Sequence, residues 1–103
     1  MSVAIQIMYP AGDGNRFDED YFHNSHMKLV ARVWGSYIQS SSLLRGIGGG
    51  APGTPPAWAM VVTLTVADMA TLQAMMAAGA EVMADVPNYS NVTPQVLIGE
   101  VIG

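Results

Sequence analysis

The chain has 103 residues, and its four basic and eight acidic residues give a net charge of -4. This length corresponds to a single domain, residues 1–103. The acidic balance argues against nucleic acid or an anionic membrane as a partner, because both require a basic patch. The absence of cysteine excludes disulfides, thiolate nucleophiles and cysteine metal sites.

Charged residues are scarce in this chain. They make up 12% of it, against about 25% in a typical globular protein. We therefore expect another subunit to cover part of the surface, most simply in a two-fold homodimer. The amino terminus lacks the pattern of a signal peptide, and no stretch approaches the ~20 apolar residues of a membrane helix. We expect a soluble, cytoplasmic protein.

The first third of the chain predicts a strand followed by a helix. The β-branched run VAIQIM (residues 3–8) favours a buried strand, which ends at Pro10 and a glycine-rich turn. Asp18 can accept hydrogen bonds from the free amides of a first helical turn. The apolar spacing that follows predicts one α-helix over residues 18–34.

The rest of the chain predicts a weaker strand, a proline-rich loop, a clear strand, a helix closed by Pro87 and a last strand. These elements span residues 36–47, 48–56, 57–66, 68–86 and 93–102. The order β-α-β-β-α-β is that of the ferredoxin-like fold. We therefore predict an α+β domain in which a four-stranded antiparallel sheet carries two helices on one face. The other face could be covered by a second copy of the chain.

The motifs for phosphate and metal binding are incomplete. GIGGGA (residues 46–51) fits a dinucleotide fingerprint, but the prolines after it prevent the helix that the motif requires. Asp20, His23 and His26 are spaced three apart, so they spiral around a helix and do not converge on an ion. We predict no phosphate site, no metal site and no redox cofactor.

One of the two histidines, His26, falls on the apolar face of the predicted helix. With Phe22 taken as zero, His26 lies at about 40° and Val33 near 20° on a helical wheel. Two alternatives are open. His26 is either a structural histidine satisfied by a carbonyl or water, or an imidazole that projects into a pocket between helix and sheet. In such a pocket the neutral form would suit a general base or an oxygen-binding group.

Few other polar side chains could complete such a pocket. Tyr21, Tyr37 and Tyr89 could each supply a phenol, although half-buried tyrosines often serve only in packing. Asp85 either orients His26 across the fold or caps the turn at Pro87.

Several segments of the chain resemble the EthD family, which is named for ethyl tert-butyl ether degradation. The segments are MYP, FDEDYFHNSHMKLV, GGAPGTPP and ADVPNYSNVTPQV, so the resemblance covers nearly the whole chain. The family pattern F-D-x-x-Y-Y-x-x-x-H-x-P-L matches at Phe17, Asp18, Tyr21, His26 and Leu29. The chain departs from it at Phe22, which replaces a tyrosine, and at Lys28, which replaces a proline. The resemblance implies a ferredoxin-like fold that pairs as a dimeric α/β barrel.

The resemblance implies a role in the breakdown or oxidation of small organic compounds such as ethers, aromatics or polyketide-like molecules. The founding member accompanies a cytochrome P450 system, and relatives with the same barrel include cofactor-free monooxygenases, lactone isomerases and polyketide cyclases. Our leading hypothesis is a cofactor-free enzyme, or an accessory to an oxygenase, with His26, Tyr21 and Asp85 as catalytic residues. We expect the substrate to be a small hydrophobic molecule that contacts Phe22, Leu29, Val30, Tyr37 and Tyr89. The alternatives are a non-catalytic carrier and an interaction partner of the P450 system.

Overall fold

A four-stranded antiparallel sheet forms the centre of the structure, a computed structural model that describes residues 2–103. Its strands are β1 (Val3–Pro10), β2 (Ile38–Arg45), β3 (Trp58–Val66) and β4 (Gln95–Glu100). They lie in the order β2-β3-β1-β4, and each neighbouring pair is antiparallel. A helical segment connects β1 to β2 and another connects β3 to β4. The predicted ferredoxin-like α+β fold is confirmed.

The hydrophobic core lies between this sheet and the helices. Alternate residues of β1 and β3 are buried and pair with one another across the two strands: Val3 with Val66, Ile5 with Leu64, Ile7 with Val62 and Tyr9 with Met60. The helices contribute Phe22, Val30, Trp34, Leu72, Met75 and Val82. Burying an aliphatic or aromatic side chain of this size stabilises a fold by about 1.5–3 kcal/mol. The helices therefore cover one face of the sheet, as predicted.

Helix α1 consists of three segments. An α-helical turn at Glu19–Tyr21 leads into a π-helical segment at Phe22–His26 and then an α-helical segment at Met27–Trp34. Asp18 caps it as predicted, since its Oδ1 accepts a hydrogen bond from the Tyr21 amide at 3.1 Å. The prediction of a regular α-helix throughout residues 18–34 is wrong in its middle. In the π-helical segment the Met27 amide donates to the carbonyl of Phe22, five residues earlier.

The second helical region is also interrupted. It consists of α2 (Met69–Ala77), α3 (Ala80–Ala84) and a 3-10 turn at Val86–Asn88, so the prediction of one helix over residues 68–86 is wrong at its centre. Gly79 lies at the break, where an added Cβ would be 2.5 Å from Cζ2 of Trp34. The indole of Trp34 thus packs directly on the backbone between the two helices. No helix within residues 2–103 has the length and apolar character needed to cross a membrane.

The sheet face opposite the helices, called the outer face below, carries small, apolar and uncharged polar side chains. Strand register and alternation assign to it Ala4, Gln6, Met8, Ser40, Ser42, Leu44, Val61, Thr63, Thr65, Gln95, Leu97 and Gly99. Leu44 is 65% exposed and Leu97 is 55% exposed. The charged residues that lie within the strands, Arg45 and Glu100, pair with positions of the opposite face. The outer face is therefore uncharged.

Candidate functional site

His26 lies inside the core and is only 4% exposed. It is the last residue of the π-helical segment of α1, and its ring stacks on that of Phe22 with centroids 5.5 Å apart. A buried imidazole requires partners for both ring nitrogens, because an unpaired buried polar atom is costly.

Both nitrogens of His26 have side-chain partners. Nδ1 lies 2.9 Å from Oδ2 of Asp85, and Nε2 lies 3.1 Å from the phenol oxygen of Tyr89. Burial acts to raise the pKa of Asp85. However, hydrogen bonds from Tyr21, Asn88 and His26 together outweigh burial and hold that pKa below its usual range. Because the carboxylate only accepts hydrogen bonds, the proton of neutral His26 resides on Nδ1, and Nε2 accepts from Tyr89.

Burial lowers the pKa of His26 below its ordinary value, and Asp85 only partly opposes this effect. The imidazole is therefore neutral at pH 7. A neutral imidazole beside an ionised carboxylate can accept a proton, since the resulting imidazolium would be stabilised by Asp85.

The other oxygen of Asp85 connects the network to the surface. Oδ1 accepts hydrogen bonds from the Tyr21 hydroxyl at 2.7 Å and from Nδ2 of Asn88 at 2.9 Å. The hydrogen bond to Asp85 raises the pKa of the Tyr21 phenol. Tyr21 and His26 are five residues apart, and the i to i+5 repeat of the π-helical segment brings them to the same side of α1. The Asp85 carboxylate thus binds the side chains of both Tyr21 and His26, and it connects its own turn to α1.

The network continues from Tyr89 into the sheet. The phenol oxygens of Tyr89 and Tyr9 are 2.5 Å apart. Since the Tyr89 hydroxyl donates to His26, the Tyr9 hydroxyl donates to Tyr89. Burial raises the pKa of both phenols, so both are neutral. The Tyr89 carbonyl also accepts from the Asp18 amide at 2.7 Å, which holds this turn against the start of α1.

A small cavity borders this network between the helices and the sheet. Its volume is about 10 Å³, and its lining combines apolar side chains with Tyr9, His26 and Trp34. A space of this size holds at most one water molecule, whereas ligand pockets measure about 300–1,000 Å³. A groove of about 390 Å³ lies next to it on the surface, and the cavity and the groove share Met83 and Val86 as wall residues.

An EthD domain model matches residues 15–93. The chain belongs to the EthD family. The solved structure of an EthD-like protein from Ralstonia eutropha JMP134 is 31% identical, with a TM-score of 0.90 and coverage of 99% of this chain and 93% of that one. An EthD family protein from Bacillus halodurans C-125 is 18% identical, with a TM-score of 0.76 and coverage of 99% and 100%.

More distant structures share the fold. A dimeric ferredoxin-like protein from Thermobifida fusca YX is 8% identical, with a TM-score of 0.63 and coverage of 98% of this chain and 92% of that one. Among curated proteins, no sequence matches this chain.

In this EthD family protein, the predicted site residues divide into two groups. The first group forms one hydrogen-bonded and stacked cluster, which consists of His26, Tyr21, Asp85, Tyr89 and Phe22. Val30 lines the cavity beside this cluster. Leu29 and Tyr37 are partly buried against the core but are not among the residues that line the cavity. Of the residues considered for a metal, Asp20 and His23 are exposed and only His26 is buried.

Three polar residues of the site were missed from the sequence, namely Tyr9, Asn88 and Trp34. The signal for Tyr9 was present, since the alternation of Val3, Ile5 and Ile7 places residue 9 on the same buried face if the strand continues past residue 8. Asn88 lies three residues after Asp85, a spacing that allows a local hydrogen bond in a turn. For Trp34 the sequence indicated only that the side chain is buried at the end of the helix, and it contained no sign of a role in the site.

Proposed function

We propose that this EthD family protein binds a small, mainly apolar organic molecule between the helices and the sheet. There it would transfer a proton as part of a degradative or oxidative reaction. The observation that carries the proposal is a neutral, buried His26 that is held by an ionised Asp85 in the wall of an apolar cavity. Active sites commonly combine such a perturbed imidazole with a carboxylate that orients it.

The route of the proton follows the hydrogen bonds. Tyr9 and His26 both border the cavity, but Nε2 of His26 is occupied by the Tyr89 hydroxyl. A substrate proton would pass to the Tyr9 oxygen while the Tyr9 proton moves to Tyr89 and the Tyr89 proton moves to Nε2. The product is an imidazolium next to Asp85, and no phenol stays charged. Tyr9 then contacts the substrate, Tyr89 passes the proton from Tyr9 to His26, and Asp85 acts through His26.

A ligand can reach the cavity only if its wall moves. Met83 and Val86 separate the cavity from the surface groove, and Met83 is 41% exposed. Methionine has three rotatable bonds and adapts to irregular spaces. Rotation of Met83 would join the cavity to the groove, whose volume of about 390 Å³ lies within the range of ligand pockets.

The proposal can be tested without knowing the natural substrate. Exchange of the α-protons of small ketones in D2O, followed by proton NMR, reports whether the site contains a working base. We expect exchange with the wild-type protein and a fall of about 10²–10⁴-fold in His26→Gln, the usual contribution of a general base. Tyr9→Phe should reduce exchange as well, because it removes the group that receives the proton.

His23→Gln is the matched control, because His23 is the other histidine and lies exposed on the same helix. It should exchange protons at the wild-type rate. Equal rates in the wild type, His26→Gln and His23→Gln would overturn the proposal.

A second candidate function is a non-catalytic carrier of a small hydrophobic molecule. It is supported by the complete hydrogen bonding of the His26 ring, since a saturated network can be purely structural. Native mass spectrometry that recovers an unmodified organic ligand, together with no proton exchange, would favour the carrier.

Partnership with a cytochrome P450 system stays a prediction from the family, and co-purification with such a protein would test it.

We also propose that two copies pair through the outer face. The proposal is supported by the uncharged outer face and by the similar fold of a dimeric ferredoxin-like protein. Thr63→Arg places a charge at the centre of this face and should convert a dimer into a monomer, as measured by light scattering after gel filtration. Gln73→Arg, at an exposed position of α2, is the control and should leave the dimer intact.

A further inference from the structure

The indole N–H of Trp34 has no hydrogen-bond acceptor within residues 2–103. Trp34 is 1% exposed, so bulk water does not reach the side chain. Buried indole groups usually find a partner, and an unpaired one requires an explanation. The buried phenols and the buried imidazole of this core are all hydrogen-bonded, which makes Trp34 an exception within the same core.

The ring that carries the unpaired donor borders the site. Trp34 lines the cavity together with Tyr9 and His26, and its ring lies against the backbone at Gly79 between α2 and α3. Both ring nitrogens of His26 are occupied. Of the residues that border the cavity, Trp34 is therefore the one whose side-chain donor is not already engaged. An indole N–H can only donate, so its natural complement is an acceptor.

The lining also restricts the charge of that acceptor. The remaining wall residues are apolar: Ile7, Phe22, Met27, Val30, Val62, Leu64, Val82, Met83 and Val86. No lysine or arginine is among them, so an anionic ligand would lose its hydration without gaining a counter-charge. Once rotation of Met83 joins it to the groove, the cavity would match an uncharged molecule with an apolar body and one strong acceptor, such as a carbonyl oxygen.

We infer that Trp34 is the substrate-positioning donor of this site and that the ligand is an uncharged carbonyl-type acceptor whose oxygen binds the indole N–H. The inference rests on the proposed function, because it identifies the class of molecule that enters the same cavity. A hydrocarbon of equal shape would occupy the same opened cavity but leave the donor unpaired. Preference for the acceptor over its hydrocarbon isostere is therefore the property to measure.

Cyclohexanone and methylenecyclohexane form a suitable pair of probes, since they differ mainly in C=O against C=CH2. The chain has two tryptophans, so ¹⁵N-labelled protein should give two indole resonances, and loss of one in Trp34→Phe assigns them. We expect cyclohexanone to shift the Trp34 indole proton downfield, as a new hydrogen bond does, and methylenecyclohexane not to do so. The resonance of Trp58, which does not line the cavity, is the internal control.

The variant gives a second measurement. Trp34→Phe keeps an aromatic ring and removes the donor, so it should weaken cyclohexanone binding about tenfold, the usual effect of one net hydrogen bond, and leave methylenecyclohexane binding nearly unchanged. Trp58→Phe should change neither affinity. If both probes bind the cavity but shift the Trp34 resonance equally, or lose affinity equally in Trp34→Phe, the donor role is wrong and the proposed function stands. If neither probe shifts any cavity resonance, the inference is overturned, and the proton-exchange measurement decides the proposed function separately.

Discussion

The protonation state of His26 makes a sharp prediction about stability at acidic pH. Burial lowers the pKa of His26 in the folded protein, whereas an unfolded histidine titrates near its ordinary value of 6.5. As the pH falls below 6.5, the unfolded chain takes up a proton that the folded protein still excludes. The free energy of unfolding should therefore fall with decreasing pH, from about 6.5 down to the lowered pKa of the folded state.

The magnitude follows from the single proton involved. Each pH unit within this window should cost at most about 1.4 kcal/mol for one differentially bound proton. Asp85 favours the imidazolium, so Asp85→Asn should lower the pKa of His26 further and extend the window to lower pH. Asp85 itself has a lowered pKa, so its own contribution is present above about 3.8 and is lost only as the pH falls below that value.

Denaturant unfolding between pH 5 and 8 measures this slope. His26→Gln should remove it, while His23→Gln should retain it, because His23 is exposed. If His26→Gln does not fold, NMR titration of the His26 Cε1 proton in the wild type tests directly whether its pKa is lowered. A wild-type protein that becomes more stable as the pH falls from 7 to 5.5 would show that His26 is an imidazolium paired with Asp85. That result would refute the assignment of a neutral general base.

Two further predictions concern packing and the phenol pair. Tyr89→Phe should destabilise the fold by about 1–3 kcal/mol because it leaves an imidazole nitrogen and the Tyr9 hydroxyl unpaired, whereas Tyr9→Phe should cost only about 1 kcal/mol. Equal losses in denaturant unfolding would contradict this order. Gly79→Ala should cost about 1–3 kcal/mol because its methyl group would meet Trp34. Gly50→Ala, at an exposed loop position where nothing lies within 4 Å of the added methyl, is the control and should be close to neutral in thermal unfolding.

The π-helical segment links the local sequence to the site. A regular α-helix would turn Tyr21 and His26 well away from each other, since five residues at 100° each leave them about 140° apart. In the structure the Tyr21 hydroxyl binds Oδ1 of Asp85, and Nδ1 of His26 binds Oδ2 of the same carboxylate. The gain from these charge-assisted hydrogen bonds offsets the less favourable helical geometry. π-helical segments are frequent at functional sites.

The sequence by itself determined the fold and its caps. Alternating apolar residues define the buried faces of β1 and β3. Asp18 and Asp68 are the N-caps of the two helical regions, and each helix begins at the next residue. These signals are local, because strand alternation and capping depend on residues a few positions apart. Helical periodicity and the small number of polar side chains predicted His26, Tyr21, Asp85 and Tyr89, and the family segments supported these residues. Two alternatives stayed open for His26 and two for Asp85.

Tertiary structure decided how those side chains meet. The partners of His26 come from positions 59 and 63 residues away, and both alternatives for Asp85 occur together, since it binds Asn88 in its own turn as well as His26. The π-helical segment, the break at Gly79 and the unpaired N–H of Trp34 also depend on contacts between distant segments. Helical periodicity describes one element at a time, so it places His26 on the buried face but cannot supply the groups that lie opposite it.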